Sequence, residues 1–330
     1  MNKKVGLVIQ GALMSVGRTG DKLHQSPEQL KKEGGVIHYD CRENIQKIID
    51  NYGHLFDKVV VSVFDNQLKE GDNWRGAVIV SAPDPGGIKQ VGHYKDNNKQ
   101  RQFISTLNGI LELEKSGIEY VVKTRTDIYL DLASLVESFF KNDTNKIGAT
   151  IVHPDNFLLH DLYFVARLEN LKKFCEAIMA YGNFEFISSV HREIVLKPAY
   201  FLYREAIKVP DWAYFPNFPP DGVSAVTRRV FNYIFENHFF SLPPEIWRGT
   251  LWRGTRFAKD HFSNLLGSRS HKLGKYNLPS LITTDWKRYF QFRKEVYGKG
   301  ISTIDNIKIH LGKLGWDIWN LTRKMIRYFL

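Results

Sequence analysis

The chain has 330 residues, of which 43% are hydrophobic, and it carries a formal net charge of +11 at pH 7. The hydrophobic fraction allows a sizeable core and excludes a chain that is disordered throughout. The only two cysteines, Cys41 and Cys175, exclude a disulfide framework and indicate a reducing compartment. With no run of about 18 apolar residues and no secretory signal, the sequence predicts neither a membrane-spanning helix nor a cleaved leader.

The first 180 residues alternate strand and helix patterns. Apolar runs predict strands at 5–9, 58–64, 77–81, 119–127, 148–152 and 160–165. Apolar residues at helical spacing predict helices at 44–52, 97–115, 132–140 and 168–181, and Ser26-Pro27 predicts a further helix start. This alternation indicates an α/β fold with a mostly parallel sheet and helices on both faces.

Common phosphate-binding and catalytic motifs are absent from the sequence. No GxGxxG follows a strand and no GxxxxGKS/T occurs, which argues against a nicotinamide dehydrogenase and a P-loop NTPase. Neither the GxSxG elbow of many hydrolases nor the HExxH metal motif is present.

The predicted strand at 119–127 ends in charged residues. In an extended chain Lys123, Arg125 and Asp127 share one face. The carboxyl ends of strands are where α/β proteins bind ligands. Two cations suit a phosphate-bearing ligand, and the carboxylate suits a hard cation such as Mg²⁺ or Mn²⁺. The alternative is a local salt bridge at a strand end.

The predicted helix at 97–115 has one apolar and one polar face. The polar face carries Asn98, Arg101, Ser105 and Asn108. Such a face is either solvated or, because this helix leads into the charged strand, part of a binding site.

The carboxyl-terminal region is strongly basic. From Arg248 to Leu330 there are 17 Lys and Arg against 5 Asp and Glu, a net charge of +12, so the other 247 residues carry −1. Residues 304–330 repeat apolar positions at helical spacing among basic and aromatic residues, a pattern typical of helices that lie on anionic membranes. The alternatives are a helix docked on the core and a coiled coil with a partner chain. Where the region begins, Trp247-Arg-Gly-Thr is repeated as Trp252-Arg-Gly-Thr.

The order of these features resembles the WavE-type lipopolysaccharide biosynthesis proteins, a family of glycosyltransferases. The matching residues are Val8-Ile-Gln-Gly11, Ser62, Asp84-Pro-Gly86, Asn98-Lys-Gln-Arg-Gln102, Tyr120-Val-Val-Lys-Thr-Arg-Thr-Asp-Ile128, and Asp161 with Tyr163-Phe164. The resemblance spans about residues 5 to 180 and does not include the basic tail.

The resemblance implies a GT-A-like (Rossmann-like) domain over residues 1–245 that binds a nucleotide sugar, followed by a basic, mainly helical region at 246–330. The expected donor-binding residues are Gln10, Gly11, Ser62, Asp84, Asn98, Arg101, Lys123 and Arg125. The expected catalytic residues are Asp127 and Asp161. For Asp161 the roles are a general base or an acceptor contact, and the alternative is a carboxylate that caps a turn.

The implied metal motif of such domains has two carboxylates in the order Asp-x-Asp. Here Arg125 stands at the first place, so Asp127 alone remains to hold Mg²⁺ or Mn²⁺. The alternative is that Lys123, Arg125 and Arg101 neutralise the leaving diphosphate directly.

The function expected from these features is transfer of a sugar from a nucleotide sugar to a lipid-linked or growing bacterial surface saccharide. The expected location is cytoplasmic, on the inner face of the inner membrane, with the tail on anionic lipid. Two rival functions are a non-catalytic scaffold of a polysaccharide-assembly complex and a nucleic-acid-binding protein. No nucleic-acid partner is expected, because no recognised binding module is found.

Overall fold

The computed structural model describes residues 3–22, 36–89, 96–149, 152–153, 158–159, 162–181, 238–242, 246 and 249–256. Several sequence expectations lie wholly or mainly outside these residues: the helix start at Ser26, the role of Asp161, and the mainly helical region at 246–330 with its helix at 304–330.

The described residues form sixteen strands and four α-helices. The strands are β1 Val5–Gln10, β2 Met14–Gly17, β3 Ile37–Asp40, β4 Lys58–Phe64, β5 Val78–Ala82, β6 Ile88–Lys89, β7 Asp96–Asn97, β8 Tyr120–Arg125, β9 Ile128–Tyr129, β10 Ile147–Ala149, β11 Val152–His153, β12 Leu158–Leu159, β13 Phe164–Arg167, β14 Phe239–Ser241, β15 Leu251–Trp252 and β16 Thr255–Arg256. The helices are α1 Arg42–Tyr52, α2 Lys99–Glu114, α3 Leu132–Phe140 and α4 Leu168–Tyr181.

The central sheet has seven strands in the order β14-β10-β13-β8-β1-β4-β5. Strands β8, β1, β4 and β5 are mutually parallel, and β14 is parallel to β10. Strand β13 is antiparallel to both of its neighbours. The mostly parallel α/β sheet predicted from the sequence is therefore confirmed.

Helices cover both faces of this sheet. Neighbouring residues of a strand point to opposite faces. Leu7 of β1 belongs to a core that includes Ile45 of α1 and Leu135 of α3. On the opposite face Val8 lies against Gly109 of α2, where a methyl group added to the glycine would be 2.5 Å from a Val8 methyl. Strands β1, β4 and β8 are buried on both faces, as expected inside a parallel sheet, whereas the edge strand β5 is partly exposed.

The predicted helices agree closely with the observed ones. The ranges 132–140 and 168–181 are confirmed, and the other two differ by one or two residues at their ends. Helix α3 begins where the Asp131 carboxylate accepts a hydrogen bond from the Ser134 amide at 3.1 Å. The last strand of the predicted set is shifted: β13 begins at Phe164 and continues to Arg167, because its pairing with β8 extends to Tyr120.

A short hairpin from beyond residue 245 packs on the amino-terminal part of the chain. Strands β15 and β16 pair with each other, and β15 also pairs with β9. Residues 251–256 thus form a separate three-stranded sheet with β9, next to the end of β8, although the sequence assigns them to the basic region.

Across the described residues, none of the helices is both long enough and apolar enough to cross a membrane.

Candidate functional site

A pocket of about 330 Å³ opens at the carboxyl ends of the central strands. The ends of β1 and β8 meet there, with Gln10 and Arg125 paired in register. From β1 the chain proceeds to β4 and β5 on one side, then crosses over α2 to β8 on the other. The pocket therefore lies at the point where strand order reverses, the usual ligand crevice of open α/β sheets.

The pocket is lined by several separate parts of the chain. The ends of β1 and β8 form the floor, the first turns of α2 form one wall, and the edge of β2 forms another. Arg253, from the turn between β15 and β16, completes the lining. Three arginines and one carboxylate line the pocket, which therefore has an excess of positive charge: Arg101, Arg125, Arg253 and Asp127.

Asp127 is the most densely hydrogen-bonded side chain of the site. It is 4% exposed. Arg125 donates from Nε to Oδ1 and from Nη2 to Oδ2, both at 2.9 Å. Ser15 Oγ and Trp252 Nε1 each donate to Oδ2, also at 2.9 Å. Arg253 Nε lies 3.3 Å from the same oxygen.

These contacts keep Asp127 ionised. Burial by itself would raise the pKa of this carboxyl group, because water no longer solvates the charge. The Arg125 and Arg253 guanidiniums outweigh burial, and the pKa of Asp127 lies below its usual range. An acid whose pKa is lowered is a weak base, so this carboxylate is poorly suited to removing a proton from an acceptor hydroxyl.

Arg253 reaches the pocket because of the tight turn that carries it. Arg253 has φ 49° and Gly254 has φ 81°, so both central residues of this two-residue turn are left-handed. The Arg253 amide donates to the Asp127 carbonyl at 2.9 Å, which fixes the turn against the end of β8. Gly17 leaves room for the guanidinium, since a methyl group there would lie 2.7 Å from Nη1.

Arg101 on α2 is held by a carboxylate of its own. Its Nε and Nη2 donate to the two oxygens of Asp84 at 2.6 and 2.7 Å, and Nη1 donates to Asn98 Oδ1 at 2.8 Å. The hydrogen bonds from Arg101 lower the pKa of the Asp84 carboxyl group. Asp84 thus positions a pocket cation without itself lining the pocket.

The structure brings six of the predicted site residues together at this pocket: Gln10, Gly11, Asn98, Arg101, Arg125 and Asp127. Three further predicted residues, Ser62, Asp84 and Lys123, do not line it.

Lys123 lies inside the protein, although the alternation of side chains puts it on the same face of β8 as Arg125. It is 0% exposed, and its Nζ lies 5.2 Å from the centre of the Phe164 ring. It does not line the pocket, which differs from the donor contact expected of it.

Ser62 and Gln10 fasten α2 to the sheet. Ser62 Oγ donates to the Ser105 carbonyl at 2.6 Å, and Ser105 Oγ donates to Gln10 Oε1 at 2.7 Å. These buried bonds fix the helix that carries Arg101 relative to the ends of β1 and β4.

A close contact with Thr126 requires glycine at position 11. The φ of Gly11 is 137°, and a methyl group on it would lie 2.8 Å from Thr126 Oγ1. Thr126 Oγ1 donates to the Ala12 carbonyl at 2.7 Å, so the loop after β1 is tied directly to the turn before Asp127.

The surroundings of Asp127 do not fit the divalent cation that the resemblance implies. Both carboxylate oxygens accept hydrogen bonds from Arg125, and Oδ2 has further donors. A metal ion bound to Asp127 would also be repelled by the two adjacent guanidiniums, which carry the same sign of charge. Within the described parts of the chain, no group of three or more His, Cys, Asp or Glu is arranged to hold a metal ion.

Four residues that hydrogen-bond Asp127 or the turn around it were not predicted as site residues: Ser15, Asn44, Trp252 and Arg253. Asn44 donates from its amide to the carbonyls of Thr126 and Ile128, at 2.8 and 3.1 Å, and shapes the turn around Asp127. The repeated Trp-Arg-Gly-Thr was the one available signal, since its second copy is the turn that brings Trp252 and Arg253 to the pocket.

The chain matches no protein-family model and no curated protein. Among solved structures it is similar to a proposed nucleotide-diphospho-sugar transferase from Desulfovibrio desulfuricans G20, with 10% identity over 91% of this chain and 100% of that one, at a TM-score of 0.35. It is also similar to a glycosyltransferase involved in the glycosylation of the major capsid of PBCV-1, with 9% identity over 73% and 82% of the two chains, at a TM-score of 0.33. A third is a mannose-1-phosphate geranyltransferase from Thermus thermophilus, with 13% identity over 58% and 67% of the two chains, at a TM-score of 0.29. Likenesses this weak assign no activity to the chain.

Proposed function

We propose that this protein is a glycosyltransferase that moves a sugar from a nucleotide sugar to a lipid-linked or growing bacterial surface saccharide. The observation that carries the proposal is the pocket at the strand-order reversal, lined by three arginines that carboxylates hold in place. Fixed cations at such a crevice suit a diphosphate, the group that leaves when a nucleotide sugar reacts.

The arginines supply the chemistry that the leaving group needs. As the bond from the sugar to the diphosphate breaks, negative charge grows on the phosphate oxygens. Guanidiniums that are already oriented stabilise this charge without reorganising during the reaction. Arg101 from α2 and Arg125 from the end of β8 line the same pocket, and we expect a bound diphosphate to contact both.

In this proposal a group other than Asp127 removes the proton from the acceptor hydroxyl. Asp161 remains the proposed general base or acceptor contact. Which sugar and which nucleotide the protein uses, and the stereochemical course of transfer, depend on side chains outside this phosphate-binding part of the site.

A thermal-shift screen of uridine, guanosine, cytidine and thymidine nucleotide sugars tests donor binding. The proposal predicts that one nucleotide class raises the melting temperature of the full-length protein, since a ligand that binds only the folded state stabilises it. The rise should be lost in Arg125→Ala and kept in Arg75→Ala, which removes the same charge from an exposed position before β5 at the opposite edge of the sheet. A rise that Arg125→Ala leaves intact would place the donor elsewhere.

A further inference from the structure

One carboxylate at the pocket holds two guanidiniums that come from distant parts of the chain. Arg125 grips Asp127 with two hydrogen bonds of 2.9 Å, and Arg253 approaches the same carboxylate to 3.3 Å. Ser15 links them further, because its Oγ accepts from Arg253 Nε and donates to Asp127 Oδ2, both at 2.9 Å. The two arginines therefore share a single anchor.

The Trp252 indole supports the same arrangement. The Arg253 guanidinium lies 4.5 Å from the ring centre and that of Arg125 lies 5.9 Å from it. Cations at this distance from an indole ring are attracted to its face. The ring nitrogen also donates to Asp127 Oδ2, so carboxylate, indole and both arginines form one unit.

This unit has a net charge of +1, and its Arg253 guanidinium lines the pocket. One carboxylate neutralises one of the two guanidiniums, and the other remains uncompensated within the unit. Arg253 uses Nε on Ser15 and Nη1 on the Arg18 carbonyl, while its Nη2 has no acceptor among the described residues. Arg253 lines the pocket and is only 9% exposed, so its charge acts where water screens it little.

From this geometry we infer that Asp127 is a positioning residue which holds Arg125 and Arg253 as a paired anion site, and that this pair binds a diphosphate without a divalent cation. The inference rests on the proposed function in that the diphosphate would be part of the nucleotide sugar. It differs from the metal contact expected of Asp127 and agrees with the alternative in which arginines meet the diphosphate directly. It gives Asp127 a new role and adds Arg253 to the site.

The first test titrates inorganic pyrophosphate into the full-length protein by calorimetry in EDTA. We expect binding in EDTA, and an affinity loss of about tenfold or more in Arg253→Lys, because lysine keeps the charge but loses the planar fork. Arg75→Lys is the matched control and should leave the affinity unchanged.

The second test uses the sign of the effect of Asp127→Asn. This change removes a negative charge from an anion site, so a carboxylate that merely repels pyrophosphate would give tighter binding when neutralised. A positioning carboxylate gives weaker binding, which we expect to be about tenfold. Ser15→Ala, a milder change to the same unit, should weaken binding in the same direction and serves if Asp127→Asn does not fold.

The results separate this inference from the proposed function. Pyrophosphate binding that requires Mg²⁺ or Mn²⁺, tighter binding by Asp127→Asn, or unchanged binding by Arg253→Lys would each overturn the inference, even if the protein turns over a nucleotide sugar. Cation-independent binding that depends on Asp127 and Arg253 would support it, even if no nucleotide sugar proved to be a donor.

Discussion

At the scale of single residues, Asp84 and Asp127 orient arginines that line the pocket. Asp84 holds Arg101 and Asp127 holds Arg125, each through paired hydrogen bonds between 2.6 and 2.9 Å. A long, flexible side chain loses rotamer freedom when it binds a ligand. Arginines that are fixed beforehand have already lost that freedom on folding, which favours tight binding of an anion.

Replacing Arg101 should weaken donor binding. Arg101→Ala removes a charge-assisted contact to phosphate, and we expect a loss of about 1.5–3 kcal/mol in binding free energy. Calorimetric titration of the nucleotide sugar found by the screen measures it, with Arg75→Ala as the control for lost charge. Equal affinities of Arg101→Ala and the unaltered protein would return the polar face of α2 to an ordinary solvated surface.

The charged residues at the end of β8 could be predicted as site residues, but their partners could not. Alternation along a strand put Arg125 and Asp127 together and the structure agrees. The same alternation placed Lys123 with them, yet this side chain is buried against β13, which the local pattern cannot reveal. Arg253 and Asp127 are brought together by a tertiary contact between residues far apart in the sequence, which periodicity does not encode.

At the scale of elements, helix α2 sets the width of the pocket. Its first turns carry Arg101, and its middle packs closely on β1 where Gly109 meets Val8. Ser105 joins it to both β1 and β4. A displacement of this helix would therefore move one pocket wall.

Gly109→Ala should destabilise the fold. On helix propensity alone the change would stabilise α2 by about 1 kcal/mol. The new methyl group, however, would lie 2.5 Å from a buried Val8 methyl, and overpacking of this kind costs about 1–3 kcal/mol. Urea unfolding measures the difference.

Gly53→Ala is the matched control for this prediction. Gly53 has φ −55°, and a methyl group there would lie 3.4 Å from Ile49, an ordinary contact. Alanine should stabilise the protein by about 0.4–1 kcal/mol. If Gly109→Ala stabilised the protein as much as Gly53→Ala, the close packing of α2 on β1 would be refuted.

Most helices and buried strands could be predicted, because their apolar periodicity is strong and local. The order and direction of the strands in the sheet could be predicted less well. Strand β13 runs antiparallel between β8 and β10, and no local pattern distinguishes its direction from that of its neighbours. The pairing of β15 with β9 likewise joins residues that are far apart in the sequence.

At the scale of the whole molecule, the charge distribution separates a nearly neutral body from a basic tail. The tail's contact with anionic membrane stays a prediction. Deleting residues 304–330 should release the protein from anionic liposomes, since each Lys or Arg near such a surface contributes about 1 kcal/mol. Liposome co-sedimentation at low and high salt measures this, and donor binding should persist. Unfolding of the truncated protein would indicate a core helix instead.

Stability should fall as the pH drops below neutrality. Burial, and then the charge of Lys146, lowers the pKa of His238 from 6.5 to about 4. Between these values the unfolded chain binds a proton that the folded protein does not, so stability present above pH 6.5 is lost as the pH falls towards 4. Because the ring is only half-buried, water weakens the effect, and we expect His238 to account for about 1 kcal/mol of the lost stability. His238→Gln should therefore lose about 1 kcal/mol less stability over the same pH range. Urea unfolding at pH 7 and pH 5 tests it, and an identical pH dependence in the variant would contradict it.

The carboxylates of Asp84 and Asp127 affect stability at lower pH than His238 does. The pKa values of Asp84 and Asp127 are both lowered from 3.8 by their arginine partners, with burial opposing this most strongly at Asp127. The stability they contribute is therefore present above pH 3.8 and is lost as the pH falls through their folded-state values.

In the proposed reaction the arginine pocket drives release of a nucleoside diphosphate from a sugar donor. The most direct measurement is the rate at which full-length protein releases the nucleoside diphosphate from the donor found by thermal shift, with and without a saccharide acceptor. We predict release that the acceptor accelerates, reduced at least about tenfold in Arg125→Ala and unchanged in Arg75→Ala, since a charge-assisted contact made to the departing phosphate is lost only in the former. A rate in Arg125→Ala equal to that of the unaltered protein would contradict the account.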